Sequence, residues 1–113
     1  DDSGALQKIE SLMDEPESLE ARKQAKELNK VGIKAFESGD LITAIESIES
    51  ALTFTPKHAA LNLNLVQVLL KLHESKQDKN TLLKAKACLK RISHIPEQHK
   101  QFKRKLIGLL NFL

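Results

Sequence analysis

Residues 25–58 read AKELNKVGIKAFESGDLITAIESIESALTFTPKH, and this 34-residue stretch decides the fold. Two runs of helix-forming residues flank the turn sequence SGD at 38–40. Gly32 lies inside the first run, where glycine costs about 1 kcal/mol relative to alanine. A glycine is favoured there when a second helix must approach closely, because it has no side chain to hold the other helix away. The stretch therefore predicts two helices packed as a pair.

A regular spacing, L-x2-V-G-x2-A, then A-x3-I, then P, runs through this stretch at Leu28, Val31, Gly32, Ala35, Ala44, Ile48, Ala51 and Pro56. The small residues Ala44 and Ala51 are expected at the helix contact, and Pro56 is expected to end one helix and start the next. The set resembles the tetratricopeptide repeat signature, W-x2-L-G-x2-Y, A-x3-F and P. The resemblance implies antiparallel helix pairs stacked as an α-α superhelix, which bind other proteins and have no enzymatic activity.

Composition favours a single all-α domain. The chain has 113 residues, of which 41% are hydrophobic, and this is enough for one core. Its four glycines and three prolines leave little room for the many turns of an all-β fold. Cys88 is the single cysteine of the chain, so we expect no internal disulfide, a reducing compartment and a cytoplasmic location.

Neither a membrane span nor a signal peptide is predicted from the sequence. No apolar run reaches the roughly 18 residues that a membrane-spanning helix needs, and the first residues lack a signal-peptide pattern. The chain starts at Asp1 without a methionine. We therefore expect it to be a part excised from a longer protein.

The spacing of apolar residues predicts about five to six helices in one domain over residues 1–113. The predicted parts are an N-terminal helix at 3–14, a well-formed helix pair at 17–56, a degenerate helix pair at 56–95 and a C-terminal capping helix at 96–113. The second pair is degenerate because Val66 stands where the first has glycine, while Lys84 and Arg91 replace its two small alanines. A polar segment at 73–80 predicts a long loop within this pair.

The resemblance also implies a concave partner-binding groove lined by the first helix of each pair. Its predicted lining is Lys26, Asn29, Ile33, Phe36, Glu37, Asn64, Gln67 and Lys71. Independently, Asn64, Gln67 and Lys71 form a polar stripe on an otherwise apolar helix. Their amide groups are suited to hydrogen bonds with an extended peptide, and the lysine is suited to an acidic side chain. The alternative is that the stripe only faces solvent. If it does line the groove, replacing Asn64 and Lys71 by alanine should leave the fold intact and reduce partner capture.

No motif in the chain predicts catalysis, a metal site or a cofactor. Gly-rich phosphate loops, H-E-x-x-H and C-x-x-C are absent from the sequence. Cys88, His94 and His99 do not have the spacing of a zinc site. We expect Cys88, at an apolar helix position, to be a small buried residue.

Charge is divided unequally between the two halves. Residues 1–56 carry 12 acidic and 6 basic side chains, whereas residues 57–113 carry 3 acidic and 12 basic side chains. Three interpretations remain open: two solvated faces, contact of the basic half with an acidic protein or lipid, and association of copies as a homodimer or head to tail. Lys100, Lys103, Arg104 and Lys105 add a nucleic-acid alternative, which is weaker because Phe102 is the only aromatic residue among them.

Residues 56–70, PKHAALNLNLVQVLL, support a more specific resemblance. They are similar to the C-terminal tetratricopeptide region of bacterial response regulators that carry an N-terminal receiver domain. That resemblance implies a signal-transduction output domain of a two-component system, which binds a protein partner rather than DNA. The alternative role is a dimerisation or scaffold module in which helices pack between copies.

Overall fold

The computed structural model describes Leu6, residues 18–91, Lys100 and Arg104. Residues 18–91 form four helices: α1 at Leu19–Glu37, α2 at Leu41–Phe54, α3 at Ala59–Lys76 and α4 at Lys79–Arg91. The all-α prediction is confirmed for this part of the chain. The helix predicted at 3–14 and the capping helix predicted at 96–113 lie outside the described residues, except for Leu6, Lys100 and Arg104.

A Schellman turn connects α1 to α2. The Gly39 N–H donates to the Phe36 carbonyl and the Asp40 N–H donates to the Ala35 carbonyl, which is the pairing that defines this helix end. Gly39 has a φ of 86°, a left-handed conformation that glycine adopts without steric cost. The Asp40 carboxylate then accepts the Thr43 N–H at 3.1 Å and caps α2. The predicted turn at 38–40 therefore reverses the chain between two paired helices.

Gly32 is the point of closest packing between α1 and α2. A methyl group in place of its hydrogen would lie 2.7 Å from Ile48 Cγ1 and 3.4 Å from the Ala44 carbonyl oxygen. Ile48, Ala44 and Ala51 are all completely buried. Gly32 and Ile48 are equally far from Asp40 in the sequence, as expected for residues that face each other in two antiparallel helices. The predicted close approach is confirmed.

Two boundaries of the second helix pair were predicted wrongly. Pro56 does not start α3, because it lies in a turn and the helix begins at Ala59. His58 is the N-cap, and its Nδ1 accepts the Leu61 N–H at 3.3 Å. The segment 73–80 is not a long loop, since α3 continues to Lys76 and only two residues precede α4. Gln77 closes α3 in the left-handed conformation.

The core is centred on α3. All ten residues from 61 to 70 are buried, which confirms that this apolar helix is an interior one. Its neighbours in the core include Ile48 of α2, Leu82 of α4 and Leu6 from the N-terminal part of the chain. Among the described residues, a surface for a partner is therefore available mainly on the other helices and at the ends of α3.

Candidate functional site

The eight residues predicted to line a groove fall into two groups. Lys26 is half-buried and Glu37 and Lys71 are exposed, whereas the remaining five are buried: Asn29, Ile33, Phe36, Asn64 and Gln67. The structure thus places the three amide side chains of the predicted groove inside the protein. A partner has direct access to the charged residues of the predicted set but not to its amides.

The two asparagines of the predicted groove are hydrogen-bonded to each other. Asn64 Nδ2 donates to Asn29 Oδ1 at 3.0 Å, and each side chain is only 1% exposed. This contact joins α1 to α3, which are 35 residues apart in the sequence. A buried amide that loses its partner costs free energy. Asn64 is therefore a buried structural residue and not an exposed one, so Asn64→Ala is expected to destabilise the fold.

A second buried polar network, which the sequence reasoning did not identify, joins α3 to α4. Asn62 is fully buried, and its Nδ2 donates to the carbonyl oxygens of Pro56 and His58. Its Oδ1 accepts the Arg91 Nε–H at 2.9 Å. One signal for it was present, because Arg91 occupies a position where the first pair has a small alanine. A long side chain there must leave the helix contact and find polar partners elsewhere.

The other degenerate position of the second pair is also on the surface. Lys84 Nζ lies 3.6 Å from the Glu49 carboxylate, and the two side chains are 59% and 42% exposed, so the pair contributes little to stability. The pair connects a side chain of α2 to one of α4. Charge on these two helices is unequal: α2 has Glu46 and Glu49 with no cation, and α4 has five cations with no anion.

The exposed face of α4 combines cations with one apolar side chain. Lys79, Leu83, Lys86 and Lys90 have the spacing i, i+4, i+7 and i+11, so they share one side of the helix. All three lysines are exposed, and Leu83 is 47% exposed. We call these four residues the basic face.

Comparisons with protein-family models, curated proteins and solved structures gave no match to this chain. The interpretation of the site therefore rests on its own residues. Within the part of the chain that the structure describes, no helix is both long and apolar enough to cross a membrane. No group of three metal-ligating residues lies together among those same residues.

Cys88 is 1% exposed, which confirms the prediction that it is a small buried residue. Burial raises the pKa of its thiol from the ordinary 9.0 to about 11, although the nearby Arg91 cation acts in the opposite direction. The sulfur also accepts an N–H of the Arg91 guanidinium at 3.1 Å. At neutral pH the group is a protonated thiol, which is a poor nucleophile.

The raised pKa of Cys88 predicts a loss of stability at high pH. The unfolded thiol ionises near pH 9 and the folded thiol near pH 11, so folding retains a proton between these values. This contribution is complete below about pH 9 and is lost as the pH rises to about 11. We expect the free energy of unfolding to fall across this interval by roughly 2 kcal/mol more in the wild type than in Cys88→Ala. Urea titrations at pH 8, 9.5 and 11 measure it, and parallel curves for both proteins would contradict the assignment.

Proposed function

We propose that this chain is a non-catalytic protein-interaction module, and that its basic face on α4 is the surface that contacts the partner. The supporting observation is the composition of that face, with exposed Leu83 among lysines on a helix that has no acidic residue. An exposed apolar side chain gives contact area on binding, and the surrounding cations favour an acidic partner. The preferred partner is therefore a protein with an acidic surface.

The architecture proposed for the module is that of stacked tetratricopeptide-like helix pairs. Three described features support it: the Gly32–Ile48 contact within the first pair, the Asn29–Asn64 contact between α1 and α3, and the Glu49–Lys84 contact between α2 and α4. In the proposed stack, the first helices of the pairs lie on one side and the second helices on the other. Because residues 56–70 resemble the C-terminal tetratricopeptide region of bacterial response regulators, we further propose that the chain is the output domain of such a regulator and that it acts in the cytoplasm.

A second candidate is self-association, which the opposite charges of α2 and α4 favour. Two copies related by a twofold axis could place the basic face of each against the exposed glutamates of the other's α2. Sedimentation of the protein at concentrations from 10 to 500 µM, a range of about 50-fold, separates self-association from binding of another protein. The mass of a dimerising protein rises with concentration by mass action. A monomer across this range that still binds another protein supports the first proposal.

Charge reversal on the basic face tests the proposal. Lys86→Glu with Lys90→Glu is expected to lower capture of an acidic partner from host extract by about tenfold or more, because attraction becomes repulsion. The matched control is Lys23→Glu with Lys30→Glu, which makes the same charge change on exposed positions of α1. Quantitative mass spectrometry of the captured proteins measures the effect. Equal loss with both double variants would show non-specific electrostatics, and loss with neither would exclude the basic face.

Nuclease treatment separates the protein partner from the nucleic-acid alternative. A partner bound directly to the basic face should remain after nuclease digestion. Nucleic-acid binding would instead disappear with digestion and would weaken steeply with salt for any duplex.

A further inference from the structure

A cleft of about 240 Å³ opens between α2, the α2–α3 turn and the end of α4, and it lies outside both the predicted groove and the basic face. Its lining is Glu49, Leu52, Thr53, Pro56, Leu65 and Arg91. Leu52 and Leu65 are 6% and 2% exposed, so they form an apolar floor anchored in the core. Charged groups are confined to Arg91 and Glu49. The cleft therefore combines a rigid apolar surface with two charged groups.

The Arg91 guanidinium is held in a fixed position beside this cleft. Its Nε–H donates to Asn62 Oδ1 at 2.9 Å, and one Nη2–H donates to Cys88 Sγ at 3.1 Å. Asn62 cannot turn away, because it is fully buried and its own Nδ2 bonds to two backbone carbonyl oxygens. A guanidinium has five N–H donors, so three remain for a ligand after these two bonds.

Both groups that hold Arg91 are neutral, an amide and a protonated thiol. In the described part of the chain, Glu27, Glu74 and Glu49 each form an ion pair with a lysine. Glu49 is the carboxylate of the cleft, and its charge is balanced by Lys84 at 3.6 Å. Among the described residues Arg91 forms no ion pair, so its guanidinium is available to an anion.

We propose that this cleft binds a small monocarboxylate with an apolar body, such as an acylated aliphatic amino acid. The carboxylate accepts the remaining N–H groups of Arg91, an arrangement to which the planar guanidinium is suited. The apolar body lies on Leu52 and Leu65, where its burial is favourable. The proposal does not depend on the protein-interaction role, since the ligand is small and the cleft is separate from the basic face.

The test is a titration followed by NMR with N-acetyl-L-leucine, compared with N-acetyl-L-leucinamide, which has the same body without the charge. We expect saturable shifts of the Arg91 Nε–H and of the Leu52 and Leu65 methyl groups with the acid, and binding about tenfold weaker with the amide. Equal binding of acid and amide, or no saturable shift with the acid, would overturn the proposal.

Variants of Arg91 and Glu49 test whether the acid is bound through its negative charge. Arg91→Gln should weaken binding of the acid by about tenfold, and Arg91→Lys should weaken it by about threefold. Lys76→Gln removes an exposed positive charge at the end of α3 and should leave binding unchanged. Glu49→Gln should strengthen binding, because it removes a like charge from the cleft. Weaker binding of the acid in Glu49→Gln would show that Glu49 does not repel the bound carboxylate and would overturn the assignment, and this variant does not disturb the Asn62–Arg91 contact.

Discussion

Gly32→Leu is expected to lower the free energy of unfolding by at least about 3 kcal/mol, enough to unfold a domain of ordinary stability. Even a single added carbon would lie 2.7 Å from Ile48 Cγ1, well inside van der Waals contact. Ile48 is completely buried, so its side chain has no free space into which it can move. The gain in helix propensity, about 1 kcal/mol, is too small to offset this clash.

A double-mutant comparison isolates the Gly32–Ile48 contact. Gly32→Ala should destabilise the wild type, because the new methyl group meets Ile48. In an Ile48→Ala background the same change should be stabilising by about 1 kcal/mol, because the helix gains propensity and the clash is gone. Urea unfolding followed by circular dichroism measures all four proteins. If Gly32→Ala had the same effect in both backgrounds, the helices would not be packed at Gly32.

Asn64→Ala is expected to lower the free energy of unfolding by about 1–3 kcal/mol, the largest effect expected after that of Gly32→Leu. The substitution leaves Asn29 Oδ1, in a side chain that is 1% exposed, without the Nδ2–H that it accepts at 3.0 Å. It also removes a contact that joins the two helix pairs. The loss should appear as a lower midpoint of urea unfolding, with the slope of the transition unchanged.

The cost of Asn64→Ala should depend on Asn29. In an Asn29→Ala background we expect it to be smaller by about 1 kcal/mol, because the acceptor is already absent. Asn80→Ala provides the surface control, since Asn80 is exposed and a change there should stay within about 0.5 kcal/mol. Independent, additive costs at positions 29 and 64 would show that their contact does not stabilise the fold.

The sequence predicted the parts of the fold that depend on local chemistry. Gly32 in a helical run indicated a close helix contact, and the sequence SGD at 38–40 indicated a turn between the two helices. These predictions needed only propensities and spacing. The buried position of Cys88 was predicted in the same way, since it follows from an apolar helix face.

Predictions failed where tertiary contacts outweigh local preference. The segment 73–80 is polar and looked like a loop, but it continues α3 as far as Lys76 because a left-handed residue at Gln77 makes a two-residue connection sufficient. Asn64 looked like a surface residue because polar side chains are usually exposed. Its partner, Asn29, is 35 residues away, and periodicity within one helix does not show a contact at that distance.

The positions at which the second pair departs from the repeat pattern now have physical roles. Lys84 and Arg91 replace small residues, and neither is packed between helices. Lys84 pairs with Glu49, and Arg91 is fixed by Asn62 at the edge of the cleft. A residue that departs from the repeat pattern in this way indicates a candidate binding surface, because a side chain that is not packed between helices is available to contact a ligand or a partner.

Site-specific photo-crosslinking in host cells tests the central claim most directly, with a photoreactive residue in place of Leu83 on the basic face. A second protein carries the same residue in place of Val31 of α1, which is 50% exposed, similar to the 47% of Leu83. We predict a defined crosslink to an acidic protein from position 83, absent from position 31 and lost with Lys86→Glu and Lys90→Glu. Crosslinks of equal pattern from both positions, or crosslinks from position 83 only to another copy of this chain, would contradict the proposed partner surface.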